Sequence, residues 1–174
     1  MKKLYVVRHA KSSWKLADQL KDYQRPLAKK GYKQCDELER VFRNIDNEGV
    51  IVTSYATRAM ETSLAIQSGC GASIRVDRFL YDMHGTTNGA AIGRLLEIIR
   101  DEFTFRDTLI LVGHNPVLNS LVRMLGGYYW DEADASWFDE GEIWIKTGKV
   151  LCFEYPDVAS VGKTESKPIS IISN

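Results

Sequence analysis

Apolar positions along this chain follow two alternating rhythms. Leu4-Tyr5-Val6-Val7 is a short continuous apolar run, of the kind buried in a parallel strand. Residues 28–45 then place Cys35, Leu38, Val41, Phe42 and Ile45 at helical spacing, which predicts an amphipathic helix. Val50-Ile51-Val52-Thr53 reads as a second strand, followed by a helix from about Ala56 to Gln67. A weaker strand at 73–76 precedes a helix marked by Ile92, Leu95, Leu96 and Ile99, ending near Arg100. Thr108–Val112 is the clearest strand and ends at Gly113. Val117 to Leu125 reads as a helix stopped by Gly126-Gly127. Further on, Ile143-Trp144-Ile145 and Val150–Glu154 flank a turn containing Gly148 and predict a hairpin. From about residue 157 the pattern predicts a ragged tail or a late edge strand.

The alternation of strand and helix predicts a three-layer α/β/α sandwich around a mostly parallel sheet, in a single domain spanning 1–174. Hydrophobic residues at 44% and charged residues at 26% exclude a collagen, a coiled coil or a wholly disordered chain. No apolar run is long enough to cross a membrane. A charge interrupts the first apolar run too early for a signal peptide. Cys35, Cys70 and Cys152 are too far apart to form a CxxC pair. A cytoplasmic protein with free thiols is therefore expected.

Charge refines this picture. The total is zero, but residues 1–33 carry ten Lys/Arg against two Asp. A neutral total argues against nucleic acid as a partner. A basic end is compatible either with a solvated face or with a small anionic ligand. The late segment 131–142 is acidic, with Trp130, Trp137, Phe138 and Trp144 around it, and reads as core filling, a pocket wall or a partner surface.

In an open α/β sheet, ligands sit outside the carboxyl ends of the strands. Strand one ends in Arg8-His9-Ala10-Lys11, strand two runs into Thr53-Ser54 and Arg58, and the clearest strand ends in Gly113-His114-Asn115-Pro116. Two of only three histidines thus follow the two best strands directly. A neutral imidazole is a competent nucleophile near pH 7, and guanidiniums grip phosphate with paired hydrogen bonds. A second imidazole opposite would donate to a phosphoryl oxygen as charge builds there. The chemistry suited to this group is phosphoryl transfer through nitrogen.

Other sites read less well. Val161-Gly162-Lys163-Thr164 lacks the first glycine of a P-loop, and no Cys carries an Arg six residues later. GxSxG and HExxH are absent. A zinc site from His9, His84 and His114 is disfavoured by the adjacent arginines, so neither a metal nor a cofactor is expected.

Arg8-His9-Ala10-Lys11-Ser12-Ser13, then Asp22-Tyr23-Gln24-Arg25-Pro26-Leu27 and Gly31, Thr53-Ser54 with Arg58-Ala59 and Thr62, and Val112-Gly113-His114-Asn115-Pro116 resemble, in order, the histidine phosphatase superfamily. The RHAK opening and the short D-x-x-RPL segment resemble its small SixA-like phosphohistidine phosphatases. The resemblance implies a phosphoglycerate mutase-like fold and His9 as the nucleophile that becomes phosphohistidine. It also implies a phosphate pocket completed by Arg8, Arg58 and His114. Ser54, Asn115 and Ser13 are expected to lend hydrogen bonds, and Asp22 and Arg25 to brace the first loop as an ion pair without touching phosphate. The glutamate proton donor of larger members is missing. Phe79–Gly85 offers Asp82 as first candidate for the acid and His84 as second, unless a phosphoramidate needs none. The implied partner is a phosphorylated protein or a small phosphorylated molecule. A phosphohistidine protein phosphatase, a phosphatase of small phosphate esters, a mutase and a non-catalytic phosphate-binding module all remain open here.

Overall fold

The computed structural model describes residues 1–45, 48–127 and 145–171. In chain order its elements are β1 (Lys2–Arg8), a 3-10 turn (Asp22–Gln24), α1 (Lys29–Phe42), β2 (Val50–Thr53), α2 (Thr57–Cys70), β3 (Ser73–Val76), α3 (Phe79–Asp82), α4 (Gly89–Phe105), β4 (Thr108–Gly113), α5 (Val117–Gly126), β5 (Val150–Tyr155) and β6 (Ile169–Ser170). The strands form one sheet in the order β3-β2-β4-β1-β5-β6. The first four pair in parallel, while β5 joins β1 and β6 joins β5 antiparallel.

The continuous apolar runs read in the sequence are strands buried on both faces. Tyr5, Val7, Ile51, Ile110 and Val112 pack with Leu38 and Phe42 of α1 and Ala59 and Ile66 of α2. Their alternates Leu4, Val6, Val52, Leu109 and Leu111 pack with Leu95, Ile99 and Phe103 of α4 and Leu118, Leu121 and Leu125 of α5. Register keeps the two sets apart, since Val6 sits opposite both Leu111 and Leu151. A slip by one residue would exchange the faces of a whole strand.

This topology fixes the place of the site. From β1 the chain passes outward to β2 and β3 with α1 and α2 on one face. It then returns to β4 with α4 on the other. Right-handed crossovers require that change of face when the direction reverses. The reversal opens a crevice at the carboxyl ends of the adjacent strands β1 and β4. Arg8 pairs with Gly113 in register, so His9 and His114 leave the sheet side by side.

Several elements differ from the sequence pattern for local reasons. The helix expected to end at Gln67 continues to Cys70, where Gly71 adopts φ +73° and terminates it. The helix read from Ile92 begins at Gly89, where the Asn88 side chain accepts the Ala91 N–H, and runs on to Phe105. Gly89 and Gly93 concealed that first turn, glycine being a poor helix former. Val150–Tyr155 is a strand as expected, but it pairs with β1; Ile143 and Trp144 lie outside the described residues. Trp130, Trp137, Phe138 and the acidic segment lie outside them too. The tail supplies the short edge strand β6.

One glycine couples the fold to the site. In the first turn of α1, a Cβ on Gly31 would lie 2.2 Å from the Lys11 carbonyl oxygen, which already accepts the Ala28 N–H at 2.8 Å. Gly31→Ala is expected to displace the segment that follows His9 and to cost about 1–3 kcal/mol in urea unfolding, as overpacking does. Parental stability in this variant would mean that the contact is slack.

Candidate active site

The His9 ring is held in one tautomer. Its Nδ1 lies 2.7 Å from the Ala10 carbonyl oxygen. A carbonyl only accepts, so Nδ1 carries the hydrogen and Nε2 keeps its lone pair. Ala10 is fixed in turn, its N–H donating to Thr62 Oγ1 at 2.9 Å while the Thr62 hydroxyl donates to the Arg58 carbonyl at 2.6 Å. Thr62 thus stands one helical turn beyond Arg58, and α2 positions both sides of the His9 ring. Arg58 Nε–H reaches His9 Nε2 at 3.3 Å.

The remaining Arg58 nitrogens donate to Asp22, to its carbonyl at 2.8 Å and to Oδ2 at 2.9 Å. Arg25 grips Oδ1 through Nε at 3.0 Å and Nη2 at 2.9 Å, and the Tyr81 hydroxyl donates to Oδ2 at 2.8 Å. The other Arg25 nitrogen donates to Ser12 Oγ and the Ser13 carbonyl. The Asp22–Arg25 ion pair braces the first loop, and the same carboxylate also anchors Arg58. Burial alone would raise the Asp22 pKa. The Tyr81 hydroxyl and the two guanidiniums outweigh that and hold it well below the ordinary carboxylate range.

Across the crevice, the His114 ring centre lies 4.9 Å from that of His9. His114 Nε2 meets Ser54 Oγ at 2.6 Å, and Ser54 Oγ also accepts the Ala56 N–H at 3.3 Å. With the serine hydrogen directed to Nε2, Nδ1 is the N–H, and it is buried without a partner among the described residues. Arg8 Nη1 and Asn115 Nδ2 both donate to the Ile145 carbonyl, at 2.5 and 3.2 Å.

Both imidazoles are neutral. Burial lowers the His9 pKa from 6.5 to about 3; the Ala10 carbonyl opposes this and the Arg58, Arg8 and Arg25 charges add to it. His114 is depressed further, by burial and then by His9 and Arg58. Between these values and 6.5 the unfolded chain binds more protons, so stability rises with pH across the window and is lost on acidification. His9 alone is expected to weaken folding by about 2 kcal/mol between pH 7 and pH 5. His9→Asn should reduce that slope in denaturant titrations, leaving the part that His114 contributes. An unchanged slope would mean that the ring is charged in the folded protein.

Arg8, His9, Arg58, His114 and Asn115 are brought together around a cavity of about 330 Å³. Asp22 and Arg25 line it as well, and Ser12 lines it in place of the expected Ser13. Ser54 stands behind His114 as its hydrogen-bond partner. Asp82 is not brought to the cavity. Its carboxylate accepts the Tyr55 hydroxyl at 2.8 Å and faces Arg78 at 3.7 Å, because α3 is one turn long and ends by placing it among those side chains. His84 lines the cavity instead, with Lys11, Trp14 and Thr147. Trp14 lies over the Arg25 guanidinium, 3.8 Å from ring centre to Cζ. Tyr81 was missed by a reading of its segment for acids alone, although it bonds Asp22 and stands edge-on to His114 at 5.5 Å. A second cavity of about 380 Å³, among Tyr23, Tyr55 and Arg78, adjoins this aromatic group. Among the described residues, no group of three or more His, Cys, Asp or Glu is placed to hold a metal ion.

Comparison with known proteins identifies relatives of this chain. Residues 4–102 match the model of the histidine phosphatase superfamily (branch 1). An uncharacterized protein of Mycobacterium tuberculosis is 32% identical over 120 residues, covering 68% of this chain and 69% of its own. Among solved structures, an Agrobacterium tumefaciens protein named for the phosphohistidine phosphatase SixA superposes with a TM-score of 0.71 at 23% identity, covering 88% of this chain and 91% of that one. The protein histidine phosphatase SixA complexed with tungstate gives 0.69 at 17% identity over 97% of each chain. A mycobacterial glucosyl-3-phosphoglycerate phosphatase gives 0.68 at 12% identity over 100% of this chain and 99% of that one. At such identities the structural likenesses establish the fold.

Proposed function

Because the chain belongs to branch 1 of the histidine phosphatase superfamily, we propose that it hydrolyses phosphate from phosphohistidine in proteins through a covalent phosphohistidine at His9, with neither metal nor cofactor. The observation that carries this reading is the locked His9 tautomer, with the Nε2 lone pair facing Arg58 in a cavity rich in guanidinium. In the first step Nε2 attacks phosphorus, while Arg8, Arg58 and His114 hold the phosphoryl oxygens. Water then attacks the phosphoenzyme, and phosphate leaves. Two displacements replace one harder one, and fixed positive charge does the electrostatic work assigned elsewhere to a metal ion.

A common phosphoenzyme has a kinetic signature. With methanol present, methyl phosphate and inorganic phosphate should form in one fixed ratio from every aryl phosphate tested. A ratio that changes with the leaving group would contradict a shared intermediate.

Protein substrates are favoured by a mouth formed from exposed groups, Trp14 and Lys11 among them. The second reading, a phosphatase of small phosphate esters, is favoured by the adjoining cavity of Tyr23, Tyr55 and Arg78, which has room for the body of a small molecule. The kcat/KM on a histidine-phosphorylated protein is expected to exceed that on small esters by more than tenfold. The reverse order would support the second reading.

A further inference from the structure

His84 follows α3 two residues beyond Asp82 and forms part of the cavity wall. Its placement is determined from two directions. Its Nδ1 meets the Tyr81 carbonyl oxygen and its ring stacks on Tyr81 at 4.7 Å and 27°. Its own carbonyl accepts the Val117 N–H at 3.2 Å, at the start of the helix that follows His114, and its ring lies 5.6 Å from that of His114. Tyr81 is itself held by its hydroxyl on Asp22. Since the Tyr81 carbonyl can only accept, Nδ1 carries a hydrogen, and Nε2 is left as the nitrogen through which His84 exchanges a proton. Asp82, the other acid in this segment, is engaged by Tyr55 and does not line the cavity.

We propose that His84 is the proton-transfer residue of the reaction, a proposal that rests on the phosphatase reading above. In the first step the His9 Nε2 lone pair forms a bond to phosphorus, and the bond from phosphorus to the leaving oxygen or nitrogen breaks. The electron pair passes to the leaving atom, which takes the proton from Nε2 of the His84 imidazolium. In the second step neutral His84 accepts a proton from water at Nε2 as the water oxygen bonds to phosphorus. The P–N bond to His9 breaks, its electron pair returns to Nε2, and His84 is again an imidazolium. An imidazole suits such a cycle because one ring nitrogen can both give and take a proton.

The test is the dependence of rate on the leaving group. In the parent protein, kcat/KM should change little from dinitrophenyl phosphate to phenyl and alkyl phosphates, because a departing alkoxide is protonated as it forms. His84→Asn should lower kcat/KM on the alkyl ester by about 10²–10⁴-fold, and on the dinitrophenyl ester by less than about tenfold. Asp82→Asn should leave the dependence as in the parent. A steep dependence in the parent would overturn the proposal whether or not the variant folds. So would an equal loss on every ester in His84→Asn, which marks a structural role. The phosphatase reading fails separately, if the parent hydrolyses none of these esters or if His9→Ala retains the parent rate.

Discussion

His9→Ala is expected to reduce turnover of phosphate monoesters by at least about 10⁴-fold, close to 5.5 kcal/mol of barrier. The size follows from what the alanine removes. Nε2 is the one lone pair that the local hydrogen bonds present to the guanidiniums, because Nδ1 is committed to the Ala10 carbonyl. Without it water must displace the leaving group directly, and Arg8, Arg58 and His114 can only bind and polarise the phosphate. Substrate affinity should therefore survive better than turnover, with kcat falling far more than KM. Folding near pH 7 should hold, since no charge is stranded when a neutral ring is lost. A variant that keeps a tenth of the parental kcat while folded would exclude His9 as nucleophile.

Asp22→Ala is expected to lower kcat/KM by about 10²-fold and stability by about 1–3 kcal/mol. Arg25 and Arg58 are nearly inaccessible, at 5% and 4% exposure, and both ion-pair with this carboxylate. Removing one member of a fully buried pair costs about 3–5 kcal/mol. The Asp22 side chain is 45% exposed, so solvent screens part of that loss. The activity term arises because Arg58 would lose the anchor that aims Nε at His9, and orientation errors of that kind are costly. Urea melts and steady-state kinetics measure both effects. In Asp22→Ala/Arg25→Ala the losses should fall short of additivity, because removing Arg25 relieves the repulsion that the single substitution creates. Full additivity would contradict a shared network.

How much of this was legible depends on the range of the interactions. Arg8-His9 and His114 were readable because each follows directly on a continuous apolar run, and such runs become strands buried on both faces. The Asp22–Arg25 pair was readable because it spans one short turn of chain. Its link to Arg58 bridges separate elements, and no spacing rule reveals it. The place of Asp82 relative to the cavity was not legible, because a helix of four residues carries no periodicity from which to tell which side chain faces the crevice. The pairing of β5 with β1 was hidden for a related reason. Alternation marks a strand, while its partner is chosen by sheet closure far away in sequence.

A covalent phosphohistidine at His9 is detectable by quenching the protein during turnover of a phosphorus-labelled substrate and mapping the label by peptide mass spectrometry. The expected result is an acid-labile phosphate on the peptide containing His9, discharged in a chase with unlabelled substrate. A label on any other residue, or hydrolysis that proceeds with no protein-bound phosphate at any time, would contradict it.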